Sequence, residues 1–167
     1  PRGWIGKTWA LFNGIKVARG KWFLFVDADT WHKGEIISKT VSYAKDNSLD
    51  FLSLESNDTV TFFWDSLFQP IVLNYIFYLF PYYKVNDKNL AEASAAGAFI
   101  LIKRSILIKL GGLISIKGEI PTDVNLAEKV KKMGNMRTLY GFDYVFSKNY
   151  ESLSDVIEGW LKNIHNL

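Results

Sequence analysis

The chain has no cysteine among its 167 residues, so disulfides and thiolate metal sites are excluded. Any metal must then be held by oxygen or nitrogen ligands, which points towards magnesium or manganese. No run of 18 uninterrupted apolar residues occurs either. The nearest approach is Leu67 to Tyr83, broken by Gln69, Pro70 and Asn74 and closed by Pro81, and it predicts a core or interfacial helix rather than a membrane span. Neither sign of charge dominates: the net charge of +3 suits an anionic partner such as phosphate or lipid headgroups without demanding one. The lysines are scattered and no nucleic-acid module is visible, so no nucleic-acid partner is expected. There is no signal peptide and no initial Met. The turn-like start Pro1-Arg2-Gly3, with no strand before it, leads us to expect a fragment.

What is present is apolar and aromatic. Hydrophobic residues make up 49% of the chain, enough for one core and hence one domain or part of one. Aromatics reach 16%, more than such a core needs, so some are expected to meet a ligand or a membrane. The pattern predicts a helix over 8–19, a buried strand over 22–26, a helix over 36–46 and a strand over 49–56. An aromatic helical segment over 62–83 follows, then the loop 84–89, a strand over 98–102 and a short helix over 105–110 closed by Gly111 and Gly112. Next come a helix opening near Thr122, a candidate N-cap, a strand region from Met136 to Ser147, and a last helix capped by Ser152 or Ser154. Helices alternating with buried strands indicate an α/β sheet.

Two stretches carry chemistry. In "GWIGKTWA" the Gly6-Lys7-Thr8 triplet resembles the end of a phosphate-binding loop, but Pro1 stands where that loop needs its first glycine. In "FLFVDADTW" a buried strand ends in Asp27 and Asp29, two carboxylates one residue apart, at the end of the sheet where α/β proteins bind ligands. Such a pair suits a hard divalent cation, with other coordination positions left to a substrate's phosphates. The same spelling fits the D-x-D-x-T of haloacid-dehalogenase-type phosphatases, with Asp27 as nucleophile and Asp29 as acid/base. That family's late acidic pair has no counterpart here. Asp123 complements the dipole of its helix whatever else it does. His32 is spaced to approach the aspartates, though a surface histidine is the plainer reading, and His165 carries no signal.

Taken together, "GKTWALFNGIKVARGKWFLFVDAD", "VNDKNLAEASAAGAFILIKRSILIKLGGL", "PTDVNLAEKVKKMG" and the tail from Ser147 resemble, in order, four blocks of family 2 glycosyltransferases. The "GW.GK", "VND" and "AAG" features are most similar to hopene-associated, carotenoid or lipid glycosyltransferases. The resemblance implies a GT-A α/β fold with a mostly parallel sheet flanked by helices. It also implies that 1–167 is one partial domain whose first, nucleotide-binding strands are missing, and that the fragment alone is inactive. It implies inverting, metal-dependent transfer from a nucleotide-sugar donor to a lipid or other membrane-associated acceptor, at the cytoplasmic face of a membrane.

By the same resemblance, Asp27 and Asp29 bind Mg²⁺ or Mn²⁺. Gly6, Lys7, Asp27, Ala28, Asp29 and Gly97 bind substrate, and Asp123 is the general base. The family usually carries two acidic residues at this last place, and here Thr122 replaces the first. The remaining alternatives are the phosphatase and a catalytically silent membrane-binding domain.

Overall fold

The computed structural model describes residues 2–59, 63–148 and 152–164, so Phe62 and His165 lie outside the described residues. Three apolar runs build the main sheet. Strands β1 (Trp22–Phe25) and β3 (Phe51–Glu55) point the same way, and β5 (Ile100–Lys103) runs antiparallel between them. Strand β6 (Met136–Tyr140) adds in parallel to β3, giving the order β1-β5-β3-β6. Because β3 and β5 are covered on both faces, alternate side chains enter two apolar layers. Phe51, Ile100 and Ile102 pack on one side, while Leu52, Leu54 and Leu101 pack on the other.

The first layer is closed by helices α5 (Arg104–Lys109) and α6 (Thr122–Lys131), through Leu107, Leu126 and Val130. Helix α1 (Gly6–Val17) lays Leu11, Phe12 and Ile15 against the same layer. The second layer is covered by α2 (Ile36–Asp46), which buries Ile36, Thr40 and Ala44 at helical spacing. A second, small sheet forms at the crevice end from β2 (Thr30–His32), β7 (Val145–Lys148) and β4 (Asn57–Thr59), in that order. Helices α3 (Phe63–Leu79) and α4 (Tyr82–Val85) span the excursion between β4 and β5, and α7 (Leu153–Ile164) ends the fold.

The sheet corrects one expectation. It is mixed rather than mostly parallel, since both pairings of β5 are antiparallel. Burial on both faces writes a continuous apolar run whichever way a strand points, so the pattern could not report direction. Strands β2 and β4 escaped notice because they are three residues long, below the span over which alternation can be recognised. Thr122 does not cap its helix. It is the first helical residue, with Pro121 before it, and its hydroxyl turns to the Glu119 carbonyl and to Thr8. At the last helix the expected cap is present, the Ser152 hydroxyl accepting from the Asp155 N–H.

The loop leading into β5 is pinned by buried polar groups. Ser53 Oγ donates to the Ala96 carbonyl at 3.0 Å and accepts from the Ala96 N–H at 2.9 Å. Thr138 Oγ1 donates to the Ser94 carbonyl at 2.5 Å. Ser53 and Thr138 are both fully buried, so water cannot replace either partner. Replacing Ser53 with Ala orphans the Ala96 N–H and is expected to cost about 1–3 kcal/mol in chemical denaturation. An unchanged midpoint would show that the loop is held some other way.

Candidate active site

The carboxyl ends of β1 and β3 and the entry to β5 meet at one end of the sheet, where a crevice of about 430 Å³ opens. Immediately after β1 the chain folds back on itself, with Thr30 Oγ1 donating to the Asp27 carbonyl at 2.7 Å. The Lys148 N–H then fixes the Asp29 carbonyl at 3.1 Å from the small sheet. Asp27 and Asp29 thus both face the crevice.

Lys7 arrives in the first turn of α1. That helix start is anchored twice: the Ile5 N–H donates to the Lys117 carbonyl, and the buried Thr8 hydroxyl lies 3.2 Å from the Thr122 hydroxyl. The Thr8–Thr122 contact ties the start of α1 to the start of α6, and so sets Lys7 beside Asp123. Lys7 Nζ stands 2.6 Å from Asp27 Oδ1.

Gly97 lies beneath these charges. A Cβ placed there would sit 2.4 Å from Lys7 Nζ, 2.7 Å from Asp123 Oδ2 and 2.8 Å from Asp27 Oδ2. A side chain here would push all three charged ends apart, so its absence is what lets an ammonium and two carboxylates converge. Asp123 accepts from the Val124 N–H at 3.0 Å. Burial holds its carboxyl above the usual range, with Asp27 adding to the rise, while Lys7 and the backbone donors pull the other way.

The remaining expectations divide. Gly6 opens α1 in open space and does not line the crevice, while Ala28 lines a groove between α1 and β1 that shares Lys7, Asp27 and Asp29 with it. His32 is placed elsewhere, its ring on the Ala98 carbonyl and edge-on to Phe99. Lys103 pairs with Asp50, and Arg104 donates to the carbonyls of Gly20 and Ala18.

Two contributors went unnoticed in the sequence. Helix α3 presents Gln69, Leu73 and Ile76 to the crevice, with Phe80 just past its end, and Glu55, at the end of β3, accepts from Tyr82 Oη at 2.6 Å. Burial first, and then Glu55, push the Tyr82 hydroxyl well above its ordinary value, so it stays a proton donor. An acidic residue ending a buried strand was a legible signal for Glu55, because Asp27 follows β1 in the same way.

No three His, Asp or Glu gather into a metal-binding group among the described residues. Asp27 and Asp29 nevertheless offer the hard oxygens that Mg²⁺ or Mn²⁺ accepts when water and phosphate complete its shell, so the donor set fits such an ion.

Acidic groups and an anchored lysine thus stand at the end of the sheet where open α/β folds bind their ligands. The glycosyl transferase family 2 model matches residues 1–111, well over half of the chain, and the chain belongs to that family. It is a glycosyltransferase, which implies a nucleotide-sugar donor and an acceptor. The matched span includes Lys7, Asp27, Asp29 and Gly97 but stops short of Asp123. No curated protein matches the chain.

Two outcomes follow for this site. Gly97→Ala must displace the charged groups and is expected to lower sugar transfer about 100-fold while far-UV circular dichroism stays unchanged. Asp123 gives a stability test. Its proton is held more tightly in the folded than in the unfolded chain, so its ionisation costs stability that is intact at low pH and lost as pH rises through the raised value. Asp123→Asn should therefore raise the unfolding midpoint at neutral pH and leave it unchanged below about pH 3. A lower midpoint at neutral pH would contradict the direction of the shift.

Proposed function

We propose that the protein transfers a sugar with inversion from a nucleotide-diphosphate sugar to a lipid or other membrane-associated acceptor, using a divalent cation. The convergence of Lys7, Asp27 and Asp123 over Gly97, at the carboxyl end of the β1 strand of a family 2 domain, carries the reading. Asp123 serves as the general base. It takes the proton of the acceptor hydroxyl as that oxygen attacks the anomeric carbon, and a carboxyl raised by burial is better matched to that task than an exposed one. The bond from the anomeric carbon to the diphosphate breaks on the opposite face, and the nucleoside diphosphate leaves. A Mg²⁺ or Mn²⁺ ion held by Asp27 and Asp29 would neutralise charge on the departing diphosphate. Lys7 and the amino end of α1 offer it further positive potential.

The acceptor assignment rests on α3. Gln69, Leu73 and Ile76 form the stripe that borders the crevice, with Phe80 just beyond the helix, whereas Phe63, Leu67, Ile71, Tyr75 and Tyr78 lie on the opposite stripe and are exposed. An apolar stripe turned to solvent favours a bilayer interface, where an aromatic-rich helix settles without crossing. At 17 residues α3 is not a span, and no described helix is long and apolar enough to cross a membrane. On this reading the acceptor reaches the site from the cytoplasmic leaflet, and a hopanoid, carotenoid or polyprenyl alcohol is the class expected.

Incubating the full-length enzyme with radiolabelled nucleotide sugars, Mn²⁺ and membrane lipid is expected to label lipid. Asp29→Ala and Asp123→Asn should each reduce the label by about a thousandfold. Release of phosphate from simple phosphoesters, abolished by Asp27→Asn, would instead establish the phosphatase. Leu67→Glu with Ile71→Glu, both at exposed positions, should weaken flotation with anionic liposomes while leaving the fold intact. Undiminished flotation would remove α3 from the membrane contact.

A further inference from the structure

Lys7 occupies an unfavourable place for a cation. It sits in the first turn of α1, where the helix dipole is positive and no acidic residue of that turn offsets it. What compensates is tertiary: its ammonium is 2.6 Å from Asp27 Oδ1, and the other Asp27 oxygen and Asp123 Oδ2 lie around the same point above Gly97. The helix start that carries Lys7 is held by the Ile5–Lys117 and Thr8–Thr122 contacts, so its side chain is rooted within reach of Asp27. One oxygen of the proposed metal ligand is therefore already occupied by a cation that belongs to the chain.

We propose that Lys7 is a tethered placeholder for the divalent cation: it closes Asp27 while the sugar donor is absent, so that the metal enters only together with the donor's diphosphate. The inference rests on the metal-dependent reading above. A free divalent ion approaching Asp27 meets an ammonium that both repels it and holds one of its ligand oxygens. A diphosphate changes the balance by bringing several negative charges, to which a lysine on a flexible four-carbon stem readily transfers. Asp27 is then released as the metal arrives, and the site assembles only when there is something to transfer.

The test is direct Mn²⁺ binding to the full chain, read from the electron paramagnetic resonance signal of the free ion, with and without uridine, guanosine or thymidine diphosphate. Mn²⁺ alone is expected to bind Lys7→Met and Lys7→Gln about tenfold more tightly than the native chain. Lys7→Arg keeps the charge and should stay as weak as native. With a nucleoside diphosphate present the native chain should gain Mn²⁺ affinity and overtake Lys7→Met, which lacks the ammonium that meets the phosphates. Far-UV circular dichroism identifies a variant that fails to fold, and the second uncharged variant then carries the comparison. Equal Mn²⁺ affinity of the native and uncharged chains without nucleotide, alongside a native gain with it, would overturn the placeholder and leave the metal reading standing. Absence of Mn²⁺ binding in every mixture would overturn both.

Discussion

Strand β5 is the constraint on which the rest of the molecule turns. It has neighbours on both sides, hydrogen-bonding to β1 through Trp22–Phe25 and to β3 through Phe51–Ser53, and its core residues are almost wholly excluded from water. An inserted antiparallel strand must enter the sheet from the end at which its neighbours leave it. The loop preceding β5 is thereby delivered to the carboxyl ends of β1 and β3, and with it Gly97. Ser53 and Thr138 then hold that loop by its backbone rather than by its side chains, which leaves its surface open to the crevice. Burial of the strand and exposure of the glycine are two ends of one arrangement.

Around that glycine the protein accepts an electrostatic cost. Two carboxylates and an ammonium are brought close together in a partly desolvated crevice, and desolvation of the half-buried Asp123 raises its pKa. Such groups persist where surrounding contacts over-determine them, and here the determinants are remote from the chemistry. The Thr8–Thr122 pair joins the starts of two helices that are far apart in the chain, and the Ile5–Lys117 bond reinforces it. The contact thus fixes the two helix starts that carry Lys7 and Asp123. Helix α3 adds the other half of the arrangement, with one stripe bordering the crevice and the opposite stripe turned outward and apolar.

Much of this was readable in the residues. The buried strand ending in Asp27, the amphipathic helix over 36–46 and the acidic start of the helix at Asp123 each follow from local rules: continuous apolar burial, a 3.6-residue period, and dipole complementarity. Their bounds agree with the fold to within a few residues. Short strands and the direction of β5 were not readable, since three residues cannot display a period and burial is indifferent to polarity. Glu55 could have been read as Asp27 was, whereas Gln69 depends on which face of its helix meets the crevice.

The order of residues was sufficient to say that Asp27, Asp29 and Asp123 fall at the ends of elements, and that a helix follows Gly6-Lys7, because hydrophobic periodicity and helix signals act over neighbours along the chain. It was not sufficient to say that Gly6 and Lys7 belong to that helix, that Lys7 lies against Asp27, that Gly97 lies under both, or that Ala28 lines a groove beside the crevice. Those distances are set by helices and strands packing across the sheet, between residues separated by up to about a hundred positions, and no local pattern encodes a contact of that kind.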